Sequence, residues 1–348
     1  MNVMPTYPAN TSAIVRSILA TIIAVCLVLS PGLVRGDDQQ ENQSDQPETA
    51  IFSSFVDKYH SYLLGTVNQP AVWFDNFFGD PRTEDEELPT SFVRLRISAR
   101  YTEGEGFNFP VRIRANIKMP RASRKLRLII VGENEEEFQT TTNGDDPAHI
   151  TGEGRDEKKS SVGLRYTLYK TLRSKLNFGG GTSNLSPFEY YGRISYRRLL
   201  HIGRKNIIRF KQSGFWNSID GLGETSRLDL ERTLTHEITG RLSLSGTYYD
   251  TDPDSATNNG LNWGVETSFF KHLTTKTAAA FDLGTYGVTR PASEITNYRI
   301  AGRIRTITLR PWLFLEIEPE VTFPLDEITG ERHAVGAITI LMEIQFAA

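Results

Sequence analysis

From Ser91 onward, apolar and polar residues alternate along the chain. Val93, Leu95, Ile97, Ala99 and Tyr101 are separated by Arg94, Arg96, Ser98 and Arg100, and a period of two puts each set on its own face of an extended strand. The next run repeats the pattern, with Val111, Ile113, Ala115, Ile117 and Met119 set against Arg112, Arg114, Asn116 and Lys118. Ahead of this region the period is helical. Ile51, Phe55, Tyr59 and Leu63 recur four apart with Phe52, Val56 and Tyr62 beside them, which gathers an apolar stripe on one side of a helix. A shorter amphipathic piece follows with Trp73, Phe74, Phe77 and Phe78.

A strand with one oily and one cationic face has two interpretations. In a water-soluble sandwich the oily face is core and the basic face meets water; in a membrane barrel the oily face meets lipid and the basic face lines the lumen. Segment length decides for the membrane. The alternating runs are roughly 10 to 14 residues long, enough to cross a bilayer when tilted and well beyond the usual soluble strand of about 5 or 6. The connectors alternate in size as well. One set is tight, around Lys170 to Leu172, Leu200 to Gly203, Thr235 to Glu237, Lys271 to Thr274 and Leu309 to Pro311. The other is looser and polar: Gly132 to Ser160, Gly181 to Pro187, Asn217 to Gly221, Asp250 to Asn259, Val288 to Ser293 and Pro324 to Arg332. The fold expected is therefore all-β, a transmembrane antiparallel up-and-down β-barrel of about 14 strands, with 12 as the alternative, preceded by a short amino-terminal helical segment.

The segments ahead of the barrel are expected to serve export and tethering. Arg16 supplies a positive flank, Ile18 to Leu29 is mostly apolar, Pro31 breaks the run and Gly36 offers a small residue before Asp37, so residues 1–36 read as a cleavable signal peptide. Residues 37–90 hold a polar tether, Asp37 to Glu48, and the amphipathic segment; 91–348 form the barrel. The single cysteine, Cys26, lies within the leader, so the exported chain is expected to contain neither thiol nor disulfide. Across 348 residues the net charge is only -3, which argues against nucleic acid as a partner. Charge matters here only locally.

The end of the chain carries the pattern of a known class. Ile338, Ile340, Met342, Ile344 and Phe346 alternate with Thr339, Leu341, Glu343 and Gln345. This resembles the closing strand of Gram-negative outer-membrane β-barrel proteins, whose assembly machinery reads such a strand; Ile340, Met342, Ile344 and Phe346 match the signal, with Ala347 and Ala348 added beyond the usual final aromatic. The resemblance covers the class and no single family. It implies export to the cell outer membrane and contact with outer-membrane lipid and lipopolysaccharide. Tyr101, Tyr166, Tyr190, Tyr196, Tyr248, Trp263, Phe269 and Tyr298 fall near strand ends on the expected outer face, where amphipathic rings suit the headgroup level.

With the oily face outward, the lumen receives Arg94, Arg96, Arg100, Arg112, Arg114 and Lys118 from the first two strands, then Arg165, Lys175, Arg193, Arg209 and Lys211. The last strands add Glu316, Glu318, Glu320 and Glu343, beside Arg299, Arg303 and Arg305. Closure places those acids between two basic strips, a transverse arrangement that attracts ions and orients polar solutes. Two readings stand: a porin-like channel for small polar or anionic solutes, and a structural or partner-binding barrel whose long charged side chains fill the interior. The cluster at Trp73 to Phe78 either packs beneath the barrel or plugs it.

Other chemistry is weak. The carboxylates of the longest loop and of Asp250, Asp252 and Asp254 lack the ordered spacing of a calcium loop, and solvated acidic loops, or at most a divalent bridge to lipopolysaccharide phosphates, are the expectation. His149, His201, His236, His272 and His333 are scattered at expected turns and loops, away from any paired serine and acid, so no enzyme, catalytic residue, metal or cofactor is expected. A lipid-modifying barrel enzyme is the third hypothesis. Gly179, Gly180 and Gly181 lack the strand-to-helix context of a phosphate loop and are expected to permit a bend or close approach in the wall.

Overall fold

The computed structural model describes Phe74, Phe77 and Phe78 and most of residues 91–347; 1–73, 75–76, 79–90, 120–124, 133–160, 172, 186–187, 204, 219–220, 251–259, 290–292, 327 and 348 lie outside the description. The expected leader, tether and helix over 51–63 fall outside the described residues.

The described chain is a succession of antiparallel strands: β1 (Phe92–Thr102), β2 (Gly106–Asn108), β3 (Val111–Lys118), β4 (Leu126–Gly132), β5 (Ser161–Lys170), β6 (Ser174–Leu185), β7 (Phe188–Ile202), β8 (Asn206–Asn217), β9 (Gly221–Thr233), β10 (Ile238–Asp250), β11 (Leu261–Thr274), β12 (Thr277–Val288), β13 (Glu294–Ile307), β14 (Leu313–Thr322) and β15 (Val335–Ala347). Each strand pairs with the next from β3 to β15, β1 pairs with β3, and β15 returns to β1. The returning register sets Val93 opposite Phe346 and Arg96 opposite Glu343. The wall thus has fourteen strands, the larger of the two expected numbers, with the three-residue β2 folded onto the end of β1 as a spur of the β1–β3 hairpin. Closure leaves no unpaired sheet edge, which is the condition for placing strands in hydrocarbon.

The burial pattern is inverted relative to a soluble protein. Along β9 the buried side chains are Thr225, Arg227, Asp229 and Glu231, while Leu222 faces outward and is 58% exposed. The outer surface carries a belt of exposed apolar residues that includes Ile113, Leu164, Ile194, Phe210, Leu244, Val265, Leu283, Ile317 and Ile340. In water such a belt would drive aggregation; against lipid it is the matching surface. All eight aromatic residues expected on the outside stand on outward-facing strand positions, and Tyr166, Tyr190, Tyr248, Phe269 and Tyr298 are among the most exposed large side chains. No helix among the described residues is long and apolar enough to cross a membrane.

Connector size differs by end with exceptions: at the loop end the expected loose connectors of 181–187 and 217–221 shrink to 186–187 and 218–220, as short as turns, and at the turn end 119–125 is longer. Turns at 171–173, 203–205, 234–237, 275–276 and 308–312 close one end, and the loop end carries 103–110, 133–160, 251–260 and 323–334. Three expected boundaries shift. β7 continues to Ile202 and turns at Gly203 with φ 66, β6 runs on to Leu185, and β11 continues through Lys271 to Thr274. Backbone pairing continues past the last residue whose side chain alternates cleanly, so polarity alone places those ends early.

Inside the wall, aromatic rings lie flat over glycines. Tyr191 of β7 covers Gly163 and Gly181, and Tyr286 of β12 covers Gly264 and Gly284. A side chain on Gly181 would collide with the Val162 carbonyl oxygen and lie 2.5 Å from the Gly163 Cα. Within the Gly179 to Gly181 run, Gly181 thus occupies a place of close approach in the wall. The main buried apolar cluster is at the turn end: Phe74, Phe77 and Phe78, from the segment ahead of the barrel, pack with Phe270, Ala278, Ala280 and Phe314.

Candidate functional site

The inner wall is the chemically distinctive surface, and the strand registers place its side chains unambiguously. On β1 the inward residues include Arg94, Arg96 and Arg100; they face Arg114 and Arg112 of β3 and Glu343 of β15 across the ladders. Lys118 stands opposite Arg127, and Arg127 opposite Arg165. Further round, Lys175 faces Arg197, Arg197 faces Lys211, and Lys211 faces Arg227. From β1 to β8 the described inward charges are Arg94, Arg96, Arg100, Arg112, Arg114, Lys118, Arg127, Arg165, Lys170, Lys175, Arg193, Arg197, Arg209 and Lys211, with Glu189 the one carboxylate among them. Each like-charged neighbour pair carries a repulsive cost.

The other arc carries ion pairs that also reach Arg94, Arg96 and Arg100 of β1 and Arg209 of β8. Glu343 is completely buried and receives Arg305 Nη2 at 2.7 Å, Arg96 Nε at 2.7 Å and Arg94 Nε at 3.3 Å. Arg305 also reaches Glu316 at 3.2 Å. Arg299 donates to Glu318 at 2.8 Å and to Glu320 at 2.6 Å, and Arg100 reaches the other oxygen of Glu320 at 2.7 Å. Arg303 pairs with Asp282 at 3.0 Å. The acids of β14 and β15 therefore lie between the guanidinium rows of β13 and β1 and tie the closing seam together. On β9 and β10, Glu231 accepts from Arg209 at 2.9 Å and Arg241 at 3.0 Å, and Asp229 accepts from Arg227 at 3.0 Å and the Ser243 hydroxyl at 2.7 Å. A field directed from the basic arc to the acidic arc crosses the lumen.

Burial differs along this wall. Arg305, Arg114, Arg209 and Arg241 are buried, whereas the Arg100 side chain is 36% exposed and that of Arg303 24%. The former are packed within the wall, and the latter are partly exposed. The expected closing-strand residues occupy the outside: Ile340, Met342 and Phe346 are exposed, and the Phe346 ring stacks on Trp312 at 6.2 Å between centroids.

Several participants were not picked out by sequence reasoning. Asp229, Glu231, Arg241, Glu266 and Asp282 alternate correctly on their strands, yet their inward facing depends on a register that pairing alone supplies. Tyr286, whose hydroxyl donates to Glu266 at 3.2 Å, reads as one more aromatic. The histidine positions need two corrections, the first being that His201 lies within β7 and not in a turn. His272 is in β11, because the turn falls at 275–276, and its ring lies 4.4 Å from that of Phe74. His236 and His333 are exposed, beside Glu237 at 3.3 Å and Glu331 at 3.7 Å; His201 is also exposed, and His149 lies outside the described residues. Among the described residues no group of three or more His, Cys, Asp or Glu side chains could hold a metal ion.

No protein-family model and no curated protein sequence matches the chain. Among solved structures it is similar to the outer membrane channel DcaP of Acinetobacter baumannii, at 8% identity and a TM-score of 0.45 over 74% of this chain and 96% of that one. It is similar also to a loop-deletion mutant of OmpT, an outer membrane protein of Vibrio cholerae, at 10% identity and 0.46 over 74% and 98%. A third is the monoaromatic hydrocarbon channel CymD, at 6% identity and 0.44 over 79% and 92%.

Proposed function

We propose that the chain is an outer-membrane channel of a Gram-negative bacterium that passes small polar solutes and prefers anions. The observation that carries this reading is the basic arc from β1 to β8, interrupted among the described inward charges only by Glu189, in which cations stand opposite cations across several ladders. A wall built only for stability would alternate charge signs, as the arc from β9 to β15 does; repeated like-charge pairs gain favourable energy when an anion enters between them. The tight turns then face the periplasm and the long acidic loops the exterior, where lipopolysaccharide surrounds the apolar belt. The barrel assembly machinery would act on Ile340, Met342, Ile344 and Phe346. No catalytic role is assigned.

Planar-bilayer recording under a salt gradient tests the reading. A reversal potential of the sign set by anion flux is expected; cation preference would overturn it. A second reading is favoured by the burial of Glu343, Arg305, Arg241 and Asp229: an interior closed by ion pairs, in a barrel that serves structure or partner binding. Absence of any conductance, in the full chain and in the unplugged variant described below, would select it.

A further inference from the structure

Among the described residues the largest apolar region of the lumen lies at its turn end, and it is occupied. Along β9 and β10 the inward face is charged or hydroxylated throughout, but at the turn end of β11 to β14 it changes to Phe270, Ala278, Ala280 and Phe314. The registers make two apolar pairs, Phe270 opposite Ala280 and Ile307 opposite Phe314, with Arg303 and Arg305 between them opposite Ala280 and Ala278. An apolar patch inside a water-filled barrel is unfavourable unless something covers it. Phe74, Phe77 and Phe78 cover it, at 0%, 1% and 5% exposure. Phe74 stacks on Phe270 with centroids 5.5 Å apart, Phe77 meets Phe314 edge-on at 6.0 Å, and Phe78 lies 5.9 Å from Phe270.

The rim of this seat belongs to the charged wall. The Arg303 guanidinium stands 5.2 Å over the Phe78 ring, Arg305 4.4 Å over Phe314 and Arg241 4.9 Å over Phe270. Arg303 and Arg305 are held in turn by Asp282, Glu316 and Glu343. The segment itself meets one of these cations, Arg303 over Phe78, which Asp282 holds in place, while Arg305 and Arg241 cover the wall rings on which Phe77, Phe74 and Phe78 pack. All of these contacts lie at the end closed by short turns, which is also the end where β1 begins and β15 finishes.

We propose that Phe74, Phe77 and Phe78 form a plug, seated in the periplasmic mouth of the barrel, which restricts the passage described above. The inference rests on the channel reading and assigns its regulation: the pore conducts fully when the three phenylalanines leave Phe270, Ala278, Ala280 and Phe314. Three rings on one helical turn obstruct a narrow lumen, and they leave without breaking any strand pairing.

The test uses the full chain carrying Phe74→Ala, Phe77→Ala and Phe78→Ala, reconstituted beside the wild type. A several-fold rise in single-channel conductance is expected for the variant, with retained resistance of the barrel to unfolding in detergent as the folding control. A conducting wild type matched by an equally conducting variant would overturn the plug and leave the channel reading standing. A silent wild type that opens in the variant supports both. Seating is read independently with Phe77→Cys in a Cys26→Ser background, treated with a membrane-impermeant maleimide. Labelling far slower than in the urea-unfolded chain is expected. Equal rates would overturn the seat whatever the conductance, and if both proteins are silent, the channel reading and the restriction of passage fall together while the labelling still decides the seat.

Discussion

Glu343 offers the sharpest test of how the barrel is closed. Its carboxylate is completely buried and satisfies Arg305, Arg96 and Arg94, at 2.7, 2.7 and 3.3 Å. Replacing it with Gln keeps the volume and removes the charge, so three guanidiniums at the β15–β1 and β13–β14 ladders lose their common counter-ion. At an effective dielectric near 20 and about 4 Å between charge centres, each attraction is worth about 4 kcal/mol before desolvation is subtracted. Breaking a buried pair by deleting one partner costs roughly 3–5 kcal/mol in total. Two features pull the value toward the lower limit: Arg305 keeps Glu316 at 3.2 Å, and the Arg96 side chain is 16% exposed to lumen water. We therefore expect Glu343→Gln to lower the stability of the folded barrel by about 3 kcal/mol, close to two decades in the folding equilibrium. Urea titration in lipid vesicles, followed by tryptophan fluorescence, measures it. Pairing the change with Arg305→Met in a double-mutant cycle separates this ion pair from effects on the seam as a whole. A loss under about 1 kcal/mol, or additive single effects, would refute the view that a buried charge cluster locks the closing seam.

Other expectations follow from the same coordinates. Arg112→Glu combined with Arg165→Glu places carboxylates in the basic arc, and the reversal potential under a salt gradient should move toward cation flux; an unchanged potential would remove that arc from the permeation path. Gly181→Ala puts a Cβ into backbone atoms of Val162 and Gly163, so a loss of about 1–3 kcal/mol is expected in the same urea assay, and a neutral result would show that β5 and β6 can separate freely. Phe346→Ala removes the ring stacked on Trp312, worth about 0.5–1.5 kcal/mol, and should also lower the yield of assembled barrel in cells; normal yield would count against Phe346 as a recognition residue. In the loop after β14, the Asp326 carboxylate accepts the Thr329 and Ile328 backbone N–H groups, which hold its pKa below the ordinary carboxylate value. A depressed folded-state pKa means that the loop's order is present above the ordinary carboxylate range and lost as pH falls through the lowered value. Amide exchange at Ile328 and Thr329 should therefore accelerate, beyond intrinsic pH effects, only in that acidic window; protection lost already near neutrality would contradict it.

The alternation of Val93 to Tyr101 and of Val111 to Met119, with the long connectors, already determined an antiparallel membrane barrel and the inward direction of Arg94, Arg112, Arg299, Glu316 and Glu343. A period of two assigns faces locally, and no long-range information is needed for that. Closure was legible too, because an even strand number returns Phe346 to the side where Val93 begins. Which charge meets which was not. The convergence of Arg94, Arg96 and Arg305 on Glu343 depends on the registers of three ladders, and a slip of two residues in any of them would preserve every local pattern while changing every partner. The seat for Phe74, Phe77 and Phe78 left only a faint trace, the unalternating run Ala278, Ala279, Ala280 and Phe281 beside Phe269 and Phe270. Such a run says that both faces of a strand are apolar, but only the tertiary structure decides that the inner face is covered by a segment almost two hundred residues earlier in the chain.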